Sequence, residues 1–359
     1  MNKNDFGVIM AGGVGSRFWP LSTVDLPKQF HDILGTGRTF LQATFDRLAK
    51  LIPLDQIYIV TLEEYIEICK EQLPELSDNQ IIGEHSGKNT AASNLYAAKI
   101  IYDVNPNANI VVAPSDHVIL DQSVFLEKLQ YALNEASQKE VLITLGIQPT
   151  RPDTGYGYIQ FFPNETSQIK KVKTFTEKPG LDLAEVFYKS GEFLWNAGIF
   201  IWNAKTVLKS FEKNLPDMYE LFDKIEHPLA SGKGKKEIQK SWALIQQISI
   251  DNGILEKADN VYVIPSSFGW SDLGTWKSLY ENLDKKSGNN VKKGKHILTY
   301  NTSNSLIYTT QKKAIVVDGL DNYIVVETKK ALLICPMDRD QTIKAFVSDL
   351  KLNKGEKFT

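Results

Sequence analysis

The sequence predicts an α/β chain, a parallel sheet covered by helices on both faces, with a small β domain at its C-terminal end. Three observations predict it. Short apolar runs alternate with helix-length stretches over the first half of the chain. A glycine-rich loop follows the first apolar run directly. Beyond a basic, glycine-containing stretch at 285–295, short β-type runs recur every eight to ten residues or so. At 359 residues the chain exceeds one ordinary compact domain, so a large domain followed by a smaller one is expected.

The elements follow in order. Residues 7–11 (GVIMA), 57–60, 109–113 (NIVVA) and 141–146 (VLITLG) read as buried strands. Between them, 40–51, 63–71, 91–102 and 123–136 have helical length and composition. Strands are expected at 155–162, 170–175, 198–202 and 261–265, and helices at 183–190, 205–214 and 235–248. The stretch 231–236 (SGKGKK) reads as a solvated loop. The linker at 285–295 leads to β runs at 297–300, 305–308, 314–318, 323–327 and 331–335. A closing helix is expected over 338–350, capped by Asp338, with Ile343, Phe346, Val347 and Leu350 as its apolar stripe.

Composition excludes several function classes. Hydrophobic residues make up 42% and charged residues 23%, which suits a globular core rather than disorder. The formal net charge of -2 gives no basic excess for nucleic acid or an acidic membrane. No apolar run is long enough to span a bilayer and no secretory signal is present, so a cytoplasmic enzyme is expected. Cys69 and Cys335 lie far apart in apolar stretches, as two buried thiols in a reducing compartment would. His31, His85, His117, His227 and His296 have no metal-like spacing, and no Ser-His-Asp set is suggested.

The first motif is Ala11–Gly12–Gly13–Val14–Gly15–Ser16–Arg17, followed by Pro20–Leu21–Ser22 and Pro27–Lys28–Gln29–Phe30. Glycines let a backbone approach a phosphate chain closely and present several N–H donors to it. Arg17 adds a planar fork of donors, and Lys28 a compact positive charge. Phe18 stands where the third glycine of a dinucleotide fingerprint belongs, and no G-K-[ST] follows, so this is neither that fingerprint nor a Walker A loop.

AGGVGSRFWPLS…PKQF resembles the signature loop of the nucleoside-diphosphate-sugar pyrophosphorylases, in the variant typical of mannose-1-phosphate guanylyltransferases. Further segments are similar in the same order: GKNTAA at 87–92, APSDHVI at 113–119, TRPDTGYGYI at 150–159, FTEKP at 175–179, WNAGIFIW at 195–202, GWSDLGTW at 269–276 and YIVVETKKALLICPMDRDQ at 323–341. The resemblance covers nearly the whole chain. It implies a Rossmann-like nucleotidyltransferase domain with a mixed, mostly parallel sheet over 1–285. It also implies a small, β-helix-like C-terminal domain over 286–359. Such tails often pack against a partner subunit, so a homodimer is expected. The sequence departs from the family at Lys88, where Arg is more frequent, at Ala92, where Pro is, and at Thr23, where bacterial relatives often have Arg.

The resemblance implies roles, and each residue also has a plainer reading. Arg17 and Lys28 are the expected catalytic cations. Ala11, Gly12, Gly13, Gly15, Ser16 and Asp116 would line the nucleotide phosphates, and Lys88, Asn89 and Thr90 the guanine and ribose. Asn89 or Thr90 could equally be helix caps. Asp116 and Asp272 are the implied Mg²⁺ ligands, although a lone loop aspartate ordinarily caps a turn. Glu177 and Asn196 would meet sugar hydroxyls, Lys178 the sugar phosphate, and Gly157 would let the backbone come close. An exposed ion pair is the plainer reading of Glu177 and Lys178. Trp195, Trp270 and Trp276 either wall the pocket or pack the core.

The implied reaction is attack of the 1-phosphate oxygen of mannose 1-phosphate on the α-phosphorus of GTP, giving GDP-mannose and pyrophosphate. The substrate carries its own anionic nucleophile, so the protein's task is to bring two polyanions together. The rivals are another NTP and sugar-1-phosphate pair, and a non-catalytic nucleotide-sugar sensor. The sensor reading expects the charged set to be eroded, yet all of it is present. A fused phosphomannose isomerase is not expected.

Overall fold

The computed structural model describes residues 1–163, 167–225, 229–231 and 234–359. Its strands, in chain order, are β1 (Asp5–Met10), β2 (Ile57–Leu62), β3 (Ile81–Glu84), β4 (Asn109–Pro114), β5 (Val118–Ile119), β6 (Leu142–Ile147), β7 (Tyr158–Phe161), β8 (Lys170–Thr176), β9 (Phe193–Asn203), β10 (Val261–Ser266) and β11 (Trp270–Ser271). The C-terminal strands are β12 (Val291–Lys293), β13 (Ile297–Tyr300), β14 (Leu306–Thr309), β15 (Ile315–Asp318), β16 (Tyr323–Glu327) and β17 (Leu332–Pro336).

The chain forms two compact units. The first comprises Met1–Gly12, Leu41–Ser115 and Ile119–Trp270. It is built on one nine-stranded sheet in the order β3-β2-β1-β4-β9-β6-β10-β8-β7. The sheet is mixed rather than parallel throughout. β1 pairs in parallel with β2 and β4, and β6 with β10, while β9 runs antiparallel between β4 and β6. β1 and β4 are apolar and buried along almost their whole length, as strands covered on both faces must be. On one face Phe6, Val8, Ile110 and Val112 share a core with helices Thr90–Val104 and Ala204–Asn214. Because β1 and β4 are parallel neighbours, their carboxyl ends at Met10 and Pro114 lie side by side.

β9 is eleven residues long, not the five expected. Gly198 takes a left-handed φ of 67°, and the register with β6 shifts between Thr144 and Gly146. Asn196, at the edge of that bulge, is buried with its side chain hydrogen-bonded to Thr144, Gly198 and Asp251. Helix Lys235–Leu244 ends short of 248 and begins within the stretch expected to be a loop, of which 232–233 lie outside the described residues. β3 had no counterpart among the expected strands.

The second unit comprises Gly13–Phe40, Asp116–Val118 and Ser271–Thr359. Its sheets are β12-β14-β16-β17 and β13-β15, with successive turns stacked in parallel through β12, β14 and β16. Its core joins Phe18, Trp19 and Leu21 from the early loop to Trp276, Tyr308, Ile324, Val326 and Met337. The Trp19 indole donates to the Phe358 carbonyl at 2.6 Å, and the Trp276 indole to the Trp19 carbonyl at 3.0 Å. Ile343, Phe346, Val347 and Leu350 pack into this core as expected. Asp338 does not cap their helix. It lies in a 3-10 segment, Met337–Thr342, and the α-helix starts at Ile343. Both cysteines are free and buried.

Candidate active site

In the second unit, the loop after β1 turns through Gly15, whose φ is 71°. A Cβ there would lie 2.7 Å from the Cβ of Lys28, so glycine is needed for conformation and for space. The Val14 carbonyl accepts from the Lys28 N–H at 3.2 Å and from the Ser22 hydroxyl, which ties the loop to the segment carrying Lys28. Among the described residues, the N–H groups of Gly13, Val14 and Gly15 have no acceptor, leaving three amides for an anion.

Lys28 is buried, its side chain 3% exposed, with its ammonium 5.3 Å from the centroids of both Phe18 and Phe40. Its Nζ donates to Asp116 Oδ2 at 2.9 Å, to the Asp116 carbonyl at 3.2 Å and to the Asp272 carbonyl at 2.7 Å. All three ammonium protons are therefore taken by protein oxygens. Burial would raise the Asp116 carboxyl, but the charge of Lys28, then that of His117, and the Lys28 hydrogen bond outweigh it and hold the group below the ordinary carboxylate range. Asp272 sits in a tight turn where Leu273 has a φ of 40° and Asp272 Oδ1 accepts the Gly274 N–H at 3.2 Å. Thr275 then caps helix Trp276–Asn282. Lys28, Asp116 and Asp272 are thus brought together. Arg17 is exposed on the same loop and has no partner among the described residues. Trp276 is core, fully buried against Phe18 and Tyr308.

The first unit holds the remaining expected residues in two groups. Asn89 caps helix Thr90–Val104, accepting from the Thr90 N–H at 2.8 Å, and the Thr90 hydroxyl accepts the Ile250 N–H at 2.9 Å. Lys88 reaches the Ala243 carbonyl at 3.4 Å. Sequence reasoning missed the neighbouring Glu84, at the end of β3. It is 4% exposed, and its Oε1 has no hydrogen-bond partner among the described residues. Burial pushes its carboxyl up to about 7 against an opposing Ser93 hydrogen bond. Gly12 lies beside it, since a Cβ on Gly12 would be 3.5 Å from Glu84 Oε2.

The second group surrounds Gly157. A Cβ there would come within 2.5 Å of Glu177 Oε2, so a larger residue would displace that carboxylate. Glu177 pairs with Lys178 at 2.5 Å, and its backbone N–H donates to Glu256 Oε1 at 3.0 Å. Asn196 Oδ1 accepts from the Thr144 hydroxyl at 2.8 Å and the Gly198 N–H at 3.1 Å, so its Nδ2 turns to Asp251 Oδ1 at 2.9 Å. Asp251 also escaped the sequence reading, since a single acid in the mixed stretch 249–253 (SIDNG) carries no pattern. Burial, then the charge of Glu177, raise its carboxyl well above the ordinary range, with Lys178 opposing. Trp195 packs against Tyr156, with the Arg151 guanidinium over its ring, and Trp270 meets the same tyrosine. Among the described residues no cluster of three or more His, Cys, Asp or Glu could hold a metal by protein ligands alone. His227 lies outside them.

Residues 6–287 match the nucleotidyl transferase family model, and 294–350 match the MannoseP isomerase/GMP-like beta-helix domain. A mannose-1-phosphate guanylyltransferase of Salmonella montevideo is 36% identical, over 98% of this chain and 75% of its own. Mannose-1-phosphate guanylyltransferase 2 of Escherichia coli O157:H7 is 34% identical, over 98% of this chain and 74% of its own. A Thermus thermophilus crystal structure described as mannose-1-phosphate geranyltransferase superposes with a TM-score of 0.85 at 29% identity, covering 97% of this chain and 99% of that one. With its glycine loop, its buried lysine–aspartate cluster and relatives matched along almost its full length, the chain belongs to the nucleotidyl transferase family, alongside the bacterial mannose-1-phosphate guanylyltransferases.

Proposed function

We propose that this chain transfers the guanylyl group of GTP to the phosphate of α-D-mannose 1-phosphate, releasing pyrophosphate and GDP-mannose. The observation that carries the proposal is the Lys28 ammonium clasped by Asp116 and the Asp272 carbonyl, on the segment that follows the glycine loop. The sugar phosphate supplies the nucleophilic oxygen. Of this chain's own groups, the Gly13, Val14 and Gly15 amides receive the nucleotide phosphates, and Arg17, with no competing partner among the described residues, neutralises the charge on them. Ala11, Gly12 and Ser16 complete the loop, and Lys88, Asn89 and Thr90 shape the start of the helix against the nucleoside. Glu84 is the group we assign to the base: guanine offers two N–H donors along one edge, the pattern a carboxylate accepts.

Lys28 acts through its two aspartates, keeping Asp116 ionised and fixing the turn at Asp272. Two ionisable carboxylates, one held anionic, with phosphate oxygens to complete the shell, fit Mg²⁺, which keeps few protein ligands. When bound at Asp116 and Asp272 the ion supplies Lewis-acid neutralisation of phosphate charge. Glu177 and Asn196 serve the sugar, Lys178 its phosphate, and Gly157 makes room for both. The proposal extends to a cytoplasmic homodimer. Among the described residues no helix is long and apolar enough to cross a membrane, and exposed Leu298 and Val316 lie side by side on β13 and β15.

The test is pyrophosphate release with a panel of nucleoside triphosphates and sugar 1-phosphates, with and without Mg²⁺. GTP with mannose 1-phosphate is expected to be the best pair. Faster turnover of UTP or dTTP with glucose 1-phosphate would overturn the assignment of substrates. Tight GDP-mannose binding without exchange of labelled pyrophosphate would make the chain a sensor.

A further inference from the structure

We infer that Asp251 is the second acidic group of the sugar subsite, acting with Glu177 as a hydroxyl-binding pair and aimed by Asn196. This rests on the proposed sugar-phosphate substrate. The argument begins with Asn196. Its amide oxygen is already spent on the Thr144 hydroxyl and the Gly198 N–H, which fixes the amide so that its NH₂ faces Asp251 Oδ1. Asn196 is 9% exposed, so this geometry is locked in the bulged strand. Its role is therefore that of a positioning residue, and the acceptor offered to a sugar is the carboxyl it holds.

Asp251 opens a π-helical turn, Asp251–Leu255, whose approach is fastened to the first turn of helix Thr90–Val104. The Ala91 N–H donates to the Ile248 carbonyl at 3.2 Å and the Ile250 N–H to the Thr90 hydroxyl at 2.9 Å. π-turns of this kind recur at functional sites. A salt bridge does not explain the acid: the cation felt by Asp251 is Lys178, already paired with Glu177. The charged groups around it are Glu177 and Lys178 from the end of β8 and, within its own turn, Glu256, which is held by the Glu177 N–H and by Asn252. Burial and the neighbouring Glu177 charge keep the Asp251 carboxyl protonated to higher pH than an ordinary aspartate, so it offers a hydroxyl ring an O–H donor as well as an acceptor. Loss of that proton puts a second negative charge beside an incoming phosphate ester. kcat/KM for the sugar phosphate should then fall as pH rises through the raised ionisation.

The experiment is steady-state kinetics on the full chain carrying Asp251→Asn, varying mannose 1-phosphate and GTP separately from pH 5 to 9. Expected is a rise of about tenfold or more in KM for the sugar phosphate, KM for GTP within about twofold, and loss of the wild-type alkaline fall in kcat/KM for the sugar. Should the variant fold poorly, Thr144→Val frees the Asn196 clamp without touching the acid. A smaller rise confined to the sugar KM is then expected. An unchanged sugar KM and pH profile in Asp251→Asn overturns the inference, as does an equal rise in both KM values. Wild type inactive on every sugar phosphate instead overturns the proposed reaction, so the two failures are distinguishable.

Discussion

Replacing Lys28 by Met keeps the length of the side chain and its contacts with Phe18 and Phe40 while deleting three donors. What remains is an Asp116 carboxylate and two carbonyls without their cation. Removing one partner of a buried ion pair costs about 3–5 kcal/mol. Lys28 is 3% exposed but Asp116 is 32% exposed, so water recovers part of this, and a loss near 2–3 kcal/mol is the order expected. The electrostatic sign follows from the balance at Asp116. Burial raises its carboxyl and Lys28 chiefly lowers it, so without Lys28 the group moves up and its anionic fraction falls. In the wild-type protein this pair stabilises the fold above the ordinary aspartate value of 3.8, and the contribution is lost only as pH drops through the lower folded value. With Asp116 less ionised and the Asp272 turn untethered, kcat should fall at least a hundredfold, about 2.7 kcal/mol in barrier. The assay is GDP-mannose formation at saturating substrates, beside urea unfolding of the same preparation. Turnover within twofold of wild type would refute the role, and a lowered urea midpoint with that turnover would make Lys28 purely structural.

Glu84→Gln separates stability from recognition. Folding takes up a proton between the ordinary value of 4.5 and about 7, so the wild-type protein loses stability as pH rises across that window, by up to about 3 kcal/mol. The variant should flatten the difference in Tm between pH 5 and pH 8 while raising KM for GTP. An unaltered Tm slope would contradict a Glu84 carboxyl raised by burial. Gly15→Ala meets both a left-handed φ of 71° and a contact of 2.7 Å with Lys28, and is expected to lower kcat by an order of magnitude or more in the same assay. Chelation of Mg²⁺ with EDTA should abolish turnover, with recovery on adding the ion back. Activity that survives exhaustive chelation would remove Asp116 and Asp272 from the proposed metal role.

Legibility in the sequence followed pattern strength. Past their first residues, Asp5 and Asn109, β1 and β4 are unbroken apolar runs, and one-dimensional reading suffices for strands covered on both faces. β3 is four residues with a glycine, too short to stand out from loop. β9 was cut short because Asn196 and Gly198 interrupt its apolar pattern, and that interruption is the bulge that serves the site. Asp116 and Asp272 lie 156 positions apart, and only resemblance joined them in advance. Glu84 and Asp251 were invisible because a buried acid is defined by what three-dimensional packing puts around it. Asp338 looked like a cap because Asp precedes an apolar stripe, but the 3-10 segment moved the helix start to Ile343.

Trp19, in the segment between Arg17 and Lys28, hands its indole proton to the carbonyl of Phe358. Residues separated by almost the entire chain therefore share one anchor. Disrupting Phe358 and the residues around it disturbs the mooring of a phosphate-handling segment encoded more than three hundred codons upstream. Variants that map to Phe358 and its neighbours therefore belong among those scored for lost catalysis.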